Sequence, residues 1–246
     1  MTAQAFARLR PGRCSPGILL AVTLLVALGA IAGIFISYVL WPTWPSRSIA
    51  LDAPPMPVTV ADVLFNVPPA AVRVPVQRHP GTHERIDLVF LWPSLEAPRA
   101  QQEAAAALAV HDPGGAVPQP GAEDRVFVTI AALGDVLTPL DRLRDIYPRY
   151  IEAQASAGPD GLGVLPFRAG TPYEGEDLVY FADKPEKFFA RCTRTVHTVS
   201  GTCIDERVAG AVAITLRFPR AWLDSDWRAV DSGFDRLVGR LHPSGE

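Results

Sequence analysis

The order of apolar and polar positions divides this chain into one unbroken greasy run and a long patterned remainder. The run, GILLAVTLLVALGAIAGIFISYVLW over residues 17–41, holds no Asp, Glu, Lys, Arg or His. As a helix rising about 1.5 Å per residue it reaches roughly 37 Å, enough to cross a hydrocarbon core about 30 Å thick with some tilt. A core helix of a globular domain shows a polar stripe, and this run has none. The apolar stretch of a cleaved signal peptide is shorter, about 7–15 residues, and ends in small residues. Here the chain leaves through Tyr38, Trp41, Pro42, Trp44 and Pro45. Such rings suit a headgroup region and suit a peptidase badly. The pattern predicts a retained transmembrane helix over 17–41, preceded by a tail over 1–16 and followed by a proline-rich stalk over 42–57.

From Val58 the pattern turns to period two. Val58, Val60 and Leu64 alternate with Ala61, Val63 and Phe65, which predicts one strand through residues 58–68. AVRVPV reads as an edge strand, because Pro75 has no N–H to donate. Ile86, Leu88, Phe90 and Trp92 share one face of the next strand, and residues 125–133 are apolar nearly throughout, as in a central strand. Between them, 96–110 is alanine-rich and predicts a short helix, and 112–124 a loop. Thr138, Pro139 and Asp141 mark a helix start, with Pro148 expected to kink or stop it. Strands are expected at 177–182 and around Val212, Ile214, Leu216 and Phe218. The last element is an amphipathic helix carrying Trp227, Val230, Phe234, Leu237 and Leu241 at helical spacing, capped by Asp224 or Ser225. The whole is α+β: one antiparallel or mixed sheet over 58–246 with helices packed on one face.

Charge orients the chain. Arg8, Arg10 and Arg13 precede the span, and no acid occurs in the first 41 residues. The positive-inside rule puts the tail in the cytoplasm and everything beyond Trp41 on the far side. The 23 basic residues, less the three ahead of the span, face 26 acids, so the far part carries about −6. No basic field is available for nucleic acid, and none is expected as a partner. Arginine outnumbers lysine 21 to 2, a usage associated with GC-rich bacterial genomes, so the expected address is the inner membrane with the C-terminal domain in the periplasm. There disulfides persist. Cys192 and Cys203 fall in the exported part and Cys14 in the tail, so flank charge and cysteine placement agree independently. A bridge between Cys192 and Cys203 is expected. Direct opposition of the two would centre the turn on His197 and Thr198, which lack glycine, so a longer or bulged loop is expected instead.

Candidate chemistry adds little. His79 and His83 lie four apart beside Glu84, but Pro80 and Gly81 forbid the helix a zinc protease needs, and a surface turn explains them. Glu174, Glu176 and Asp177 cluster in YEGED without calcium-loop spacing, which reads as a solvated turn. His111, His197 and His242 look like loop residues. No GxSxG, GxxxxGK[ST] or GxGxxG motif is present, and nothing calls for a metal or cofactor. Catalytic residues are therefore unassigned. Gly29 and Gly33 form a GxxxG that lets two spans approach closely, although glycine is also simply common in such helices.

VFLWPSLEAP (89–98), the Cys192/Cys203 pair and RFPRAWLDSDWRAVD (217–231) resemble a group of bacterial single-pass envelope proteins of unknown function. The resemblance covers most of the chain after Trp41 and implies the same anchored layout, with no catalytic residue to carry over. The expected role is a membrane-anchored accessory or binding domain, more a binding module than an enzyme, with an envelope protein as partner. Two alternatives stand beside it. One is an envelope hydrolase acting on cell wall or polysaccharide through the acids at 174–177. The other is a platform that dimerises through the span.

Overall fold

A computed structural model describes residues 16–40, 53–99, 125–194 and 201–242. Helix α1 (Pro16–Leu40) matches the greasy run, and it is long and apolar enough to cross a membrane. Every side chain described on it is exposed. The N-terminal tail with Cys14, most of the expected stalk, most of the expected helix at 96–110, and the expected loop at 112–124 lie outside the described residues.

The globular unit opens with β1 (Met56–Val60) and β2 (Val63–Val67), an antiparallel hairpin in place of the single strand expected there. Ala61 and Asp62 turn the chain at φ 46° and 65°, the two positive values that a two-residue hairpin with the right twist demands. The reversal returns Phe65 and Val67 to the side of Val58 and Val60, all four fully buried, and leaves Leu64 in solvent. The two-residue β3 (Gly81–Thr82) pairs parallel to β1. AVRVPV is not an edge strand. Prolines begin two 3₁₀ turns there, Pro69–Ala71 and Pro75–Gln77, and Val72 bridges to Leu88 between them.

The main sheet comprises β4 (Arg85–Leu91), β5 (Arg125–Ala132), β6 (Ser156–Ala157), β7 (Leu162–Pro166), β8 (Glu176–Phe181), β9 (Phe189–Thr193), β10 (Thr202–Ala209) and β11 (Val212–Pro219). Their spatial order is β4-β5-β11-β10-β9-β8-β7-β6, and every pair is antiparallel. The alternating positions Ile86, Leu88 and Phe90, Val126, Val128 and Ile130, and Val212, Ile214, Leu216 and Phe218 are all buried in one core. Helix α2 (Ala221–Leu241) closes that core with Trp227, Val230, Phe234, Leu237 and Leu241, as its spacing predicts. The cap lies slightly later than expected. Asp226 breaks the helix and its Oδ1 accepts from the Ala229 N–H at 3.0 Å, while Ser225 Oγ donates back to the Ala221 carbonyl.

The segment after Thr138 makes one α-turn, a π-turn and a 3₁₀ turn, and ends at Arg149 as Pro148 dictates. Thr138 Oγ1 accepts from the Asp141 N–H, the expected cap. This segment packs Leu143, Ile146 and Tyr147 with Phe167 and Leu178 in a second, smaller cluster. Along β8, Leu178 and Tyr180 join that cluster and Val179 and Phe181 join the main core, so the two clusters occupy opposite faces of the sheet.

Candidate functional site

A cleft of about 440 Å³ opens where β9 and β10 part. The two strands are paired at Cys203–Cys192 and Ile204–Arg191 and no further, whereas β9 stays paired to β8 through Tyr180–Phe189. Asp205, Glu206, Arg207 and Val208 are thus ladder-paired to β11 alone among the described strands. The cleft lies between them and residues 186–189, with Thr138, Pro139 and Leu140 at one end and Asp231 and Asp235 of α2 at the other.

Its floor is one guanidinium shared among three carboxylates. Arg207 donates from Nε and Nη2 to Asp205 Oδ2, both at 3.0 Å, and from Nη2 to Asp231 Oδ1 at 2.8 Å. Nη1 donates to Asp235. The guanidinium also lies over the Phe234 ring, 5.8 Å from its centroid. Asp205 is 5% exposed and Asp231 9%. Burial pushes the Asp205 carboxyl above its ordinary pKa against the pull of Arg207, and the charges of Asp231 and Asp235 push the same way. Asp231 is raised for the same reasons, burial foremost. Burial works against the Arg207 charge, but the three carboxylates outweigh it and hold its pKa up. Period two brings Asp205 and Arg207 onto the helix-facing side of β10, and helical spacing brings Asp231 and Asp235 together on α2. On the other side of β10, Glu206 accepts from Arg142 Nη2 at 2.7 Å.

The bridge expected from the sequence is formed: Cys192 and Cys203 are joined, with Cα atoms 4.0 Å apart. The two cysteines are direct cross-strand partners, each fully buried, and the loop expected to be longer or bulged falls at 195–200, outside the described residues. The bond clamps β9 to β10 immediately beside the cleft. His197 lies outside the described residues.

The acids of YEGED do not line this cleft. Glu176 pairs with Arg191 at 2.8 Å, Asp177 with Arg194 at 2.8 Å and Arg220 at 2.6 Å, and Glu174 accepts from the Gly170 N–H. Glu176 and Asp177 tie β8 to β9 and to the start of α2, and Glu174 closes the turn ahead of β8, so all three act as structural braces. His79 and His83 stack with centroids 4.4 Å apart on an exposed turn, and among the described residues no group of three metal-ligating side chains forms. His242 packs on Phe65 and binds the Leu64 carbonyl through Nδ1. Gly29 and Gly33 lie one turn apart on α1, and a Cβ added at either would meet nothing within 4 Å.

Sequence reasoning passed over the Asp205–Arg207–Asp231–Asp235 group. The signal was present: a D-x-R on the buried-side parity of a strand, and an aspartate at 231 wedged between Val230 and Phe234 on the apolar stripe.

No family model matches the chain, and no curated protein matches it. Two solved structures are similar in outline. One is Smlt3025, an immunity protein of the Stenotrophomonas maltophilia type IV secretion system, at 14% identity over 76% of this chain and 93% of that one, TM-score 0.46. The other is the Neisseria meningitidis iron-regulated outer membrane lipoprotein FrpD, at 10% identity over 78% of this chain and 96% of that one, TM-score 0.42. What the chain itself presents is an apolar N-terminal helix followed by a disulfide-bonded α+β domain.

Proposed function

We propose that this chain is an accessory or binding domain held by α1 in the bacterial inner membrane, with its globular unit in the periplasm. One observation carries the reading: a 25-residue helix with its described side chains all exposed, in a chain whose other unit contains a disulfide. An apolar surface that large needs lipid or another helix to cover it, and a disulfide persists in an oxidising compartment. The three arginines ahead of α1 favour the same orientation. A tethered domain samples a thin shell over the membrane, which raises its effective concentration for envelope partners.

A reporter enzyme that works only after export, fused behind Glu246, tests this. Activity together with retention of the uncut chain in the membrane fraction is expected. Activity of a cytosol-only reporter, or release of the domain as a shorter soluble chain, would overturn it. Self-association through α1 is a second reading, favoured by the GxxxG spacing of Gly29 and Gly33. A Gly29→Ile change that leaves the oligomeric state in detergent untouched would dispose of it.

A further inference from the structure

We infer that the cleft between β9 and β10 receives an extended segment of a partner protein that carries arginine or lysine between apolar side chains. This rests on the reading of the globular unit as a binding domain and names where the binding occurs.

Three independent features converge there. The first is charge. Glu186, Asp205, Glu206, Asp231 and Asp235 line the cleft against Lys187 and Arg207. Even with Arg142 counted through its pair with Glu206, carboxylates outnumber cations five to three. Arg207 alone faces three of them, so the floor is left short of positive charge in a partly buried setting, where an added cation is screened less than at an open surface. A guanidinium or ammonium supplies what is missing, and its apolar stem suits the walls.

The second feature is the wall itself. Leu140 and Val208 line the cleft while remaining 38% and 44% exposed. Val136 and Leu137, just ahead of Thr138, are also exposed. Apolar side chains beside an acidic floor match a segment that alternates apolar and basic residues.

The third is backbone. Residues 205–208 are paired to β11 on one side and have parted from β9 on the other. A strand edge open towards a cleft offers main-chain groups to an extended segment, the usual geometry of strand addition. The disulfide at Cys192–Cys203 ties β9 to β10 beside their last ladder pair, at the point where the opening begins.

The test uses the full chain in nanodiscs of zwitterionic lipid, with empty nanodiscs as the blank. The probes are fluorescein-labelled Gly-Val-Arg-Val-Arg-Val-Gly and its counterpart with glutamate in place of arginine, followed by anisotropy. Saturable binding of the arginine peptide is expected, weakening as salt is raised. In the double variant Glu186→Lys, Asp235→Asn the affinity should fall about tenfold, the size expected for the loss or reversal of two nearby charges. Both side chains are exposed, so the fold is retained. Equal binding of the two peptides, no saturable binding, or an unchanged affinity in the double variant would each overturn the inference. A chain found in the wrong orientation would remove the periplasmic role and leave this binding untouched, so the two failures are distinguishable.

Discussion

Replacing Arg207 with methionine isolates the energetics of the cleft floor. The change keeps an unbranched apolar stem and removes the charged guanidinium. Asp205 and Asp231, 5% and 9% exposed, then keep their burial and lose the cation that opposes it, whereas Asp235, with 69% of its side chain exposed, is rehydrated. Removing one partner of a buried pair costs about 3–5 kcal/mol, against about 5–15 kcal/mol for the stability of a whole domain. The cost must depend on pH, and its sign is fixed. A carboxyl whose pKa is raised in the folded state contributes most below its unfolded value of about 3.9, and that contribution is lost as pH rises through the folded value. Without Arg207 both folded values rise further, so the loss extends to higher pH. Urea unfolding of the full chain in detergent, followed by the fluorescence of Trp92, Trp222 and Trp227, should show the variant destabilised by about 3–5 kcal/mol at pH 8 and by distinctly less at pH 4.5. An equal penalty at both pH values, or one below about 1 kcal/mol at pH 8, would refute the account of an under-neutralised buried cluster.

Changing Cys192 and Cys203 to serine together should lower stability by about 3 kcal/mol, the loop-closure value for a separation of 11, and an unchanged urea midpoint would count against it. Gly233→Ala places a Cβ 2.6 Å from Trp92 Cζ3, so overpacking of about 1–3 kcal/mol should exceed the helix-propensity gain of about 1 kcal/mol; a raised melting temperature would contradict this. Gly201→Ala should be worse, because its Cβ would lie 2.0 Å from the Thr193 carbonyl oxygen, a backbone atom that cannot rotate away. Burial alone would raise the pKa of Asp87, but hydrogen bonds from Arg85, Thr129 and Gln77 hold it low, so its contribution is present at neutral pH and fades as pH falls through the folded value. Asp87→Asn should accordingly flatten the acid limb of the stability profile.

Elements that present one face to one core were legible from the chain. Val212, Ile214, Leu216 and Phe218 and the stripe from Trp227 to Leu241 each record a partition between core and solvent, and burial enforces that partition residue by residue. Reversals without glycine were not legible. Ala61 and Asp62 carry positive φ with no Gly or Asn between them, so an uninterrupted apolar alternation hides a hairpin, and the shift of Leu64 to solvent follows from that one turn. The pairing of Cys192 with Cys203 is likewise set by strand register, which the residues of the intervening loop do not encode.

The cleft was hidden for a different reason. Polar residues are read as surface, and a cluster that is polar and buried becomes visible once distant segments are superposed. Arg207 meets Asp231 across 24 positions and Asp205 across two, so local pattern sees a short acidic-basic alternation on a strand and an ordinary polar face on a helix. What turns them into a site is the departure of β9 along β8 after two ladder pairs. That departure exposes the edge of β10 and admits solvent beside carboxylates that stay buried behind it. A site of this kind is built from the failure of a strand pair to continue, and its chemistry follows from how little positive charge the fold supplies there.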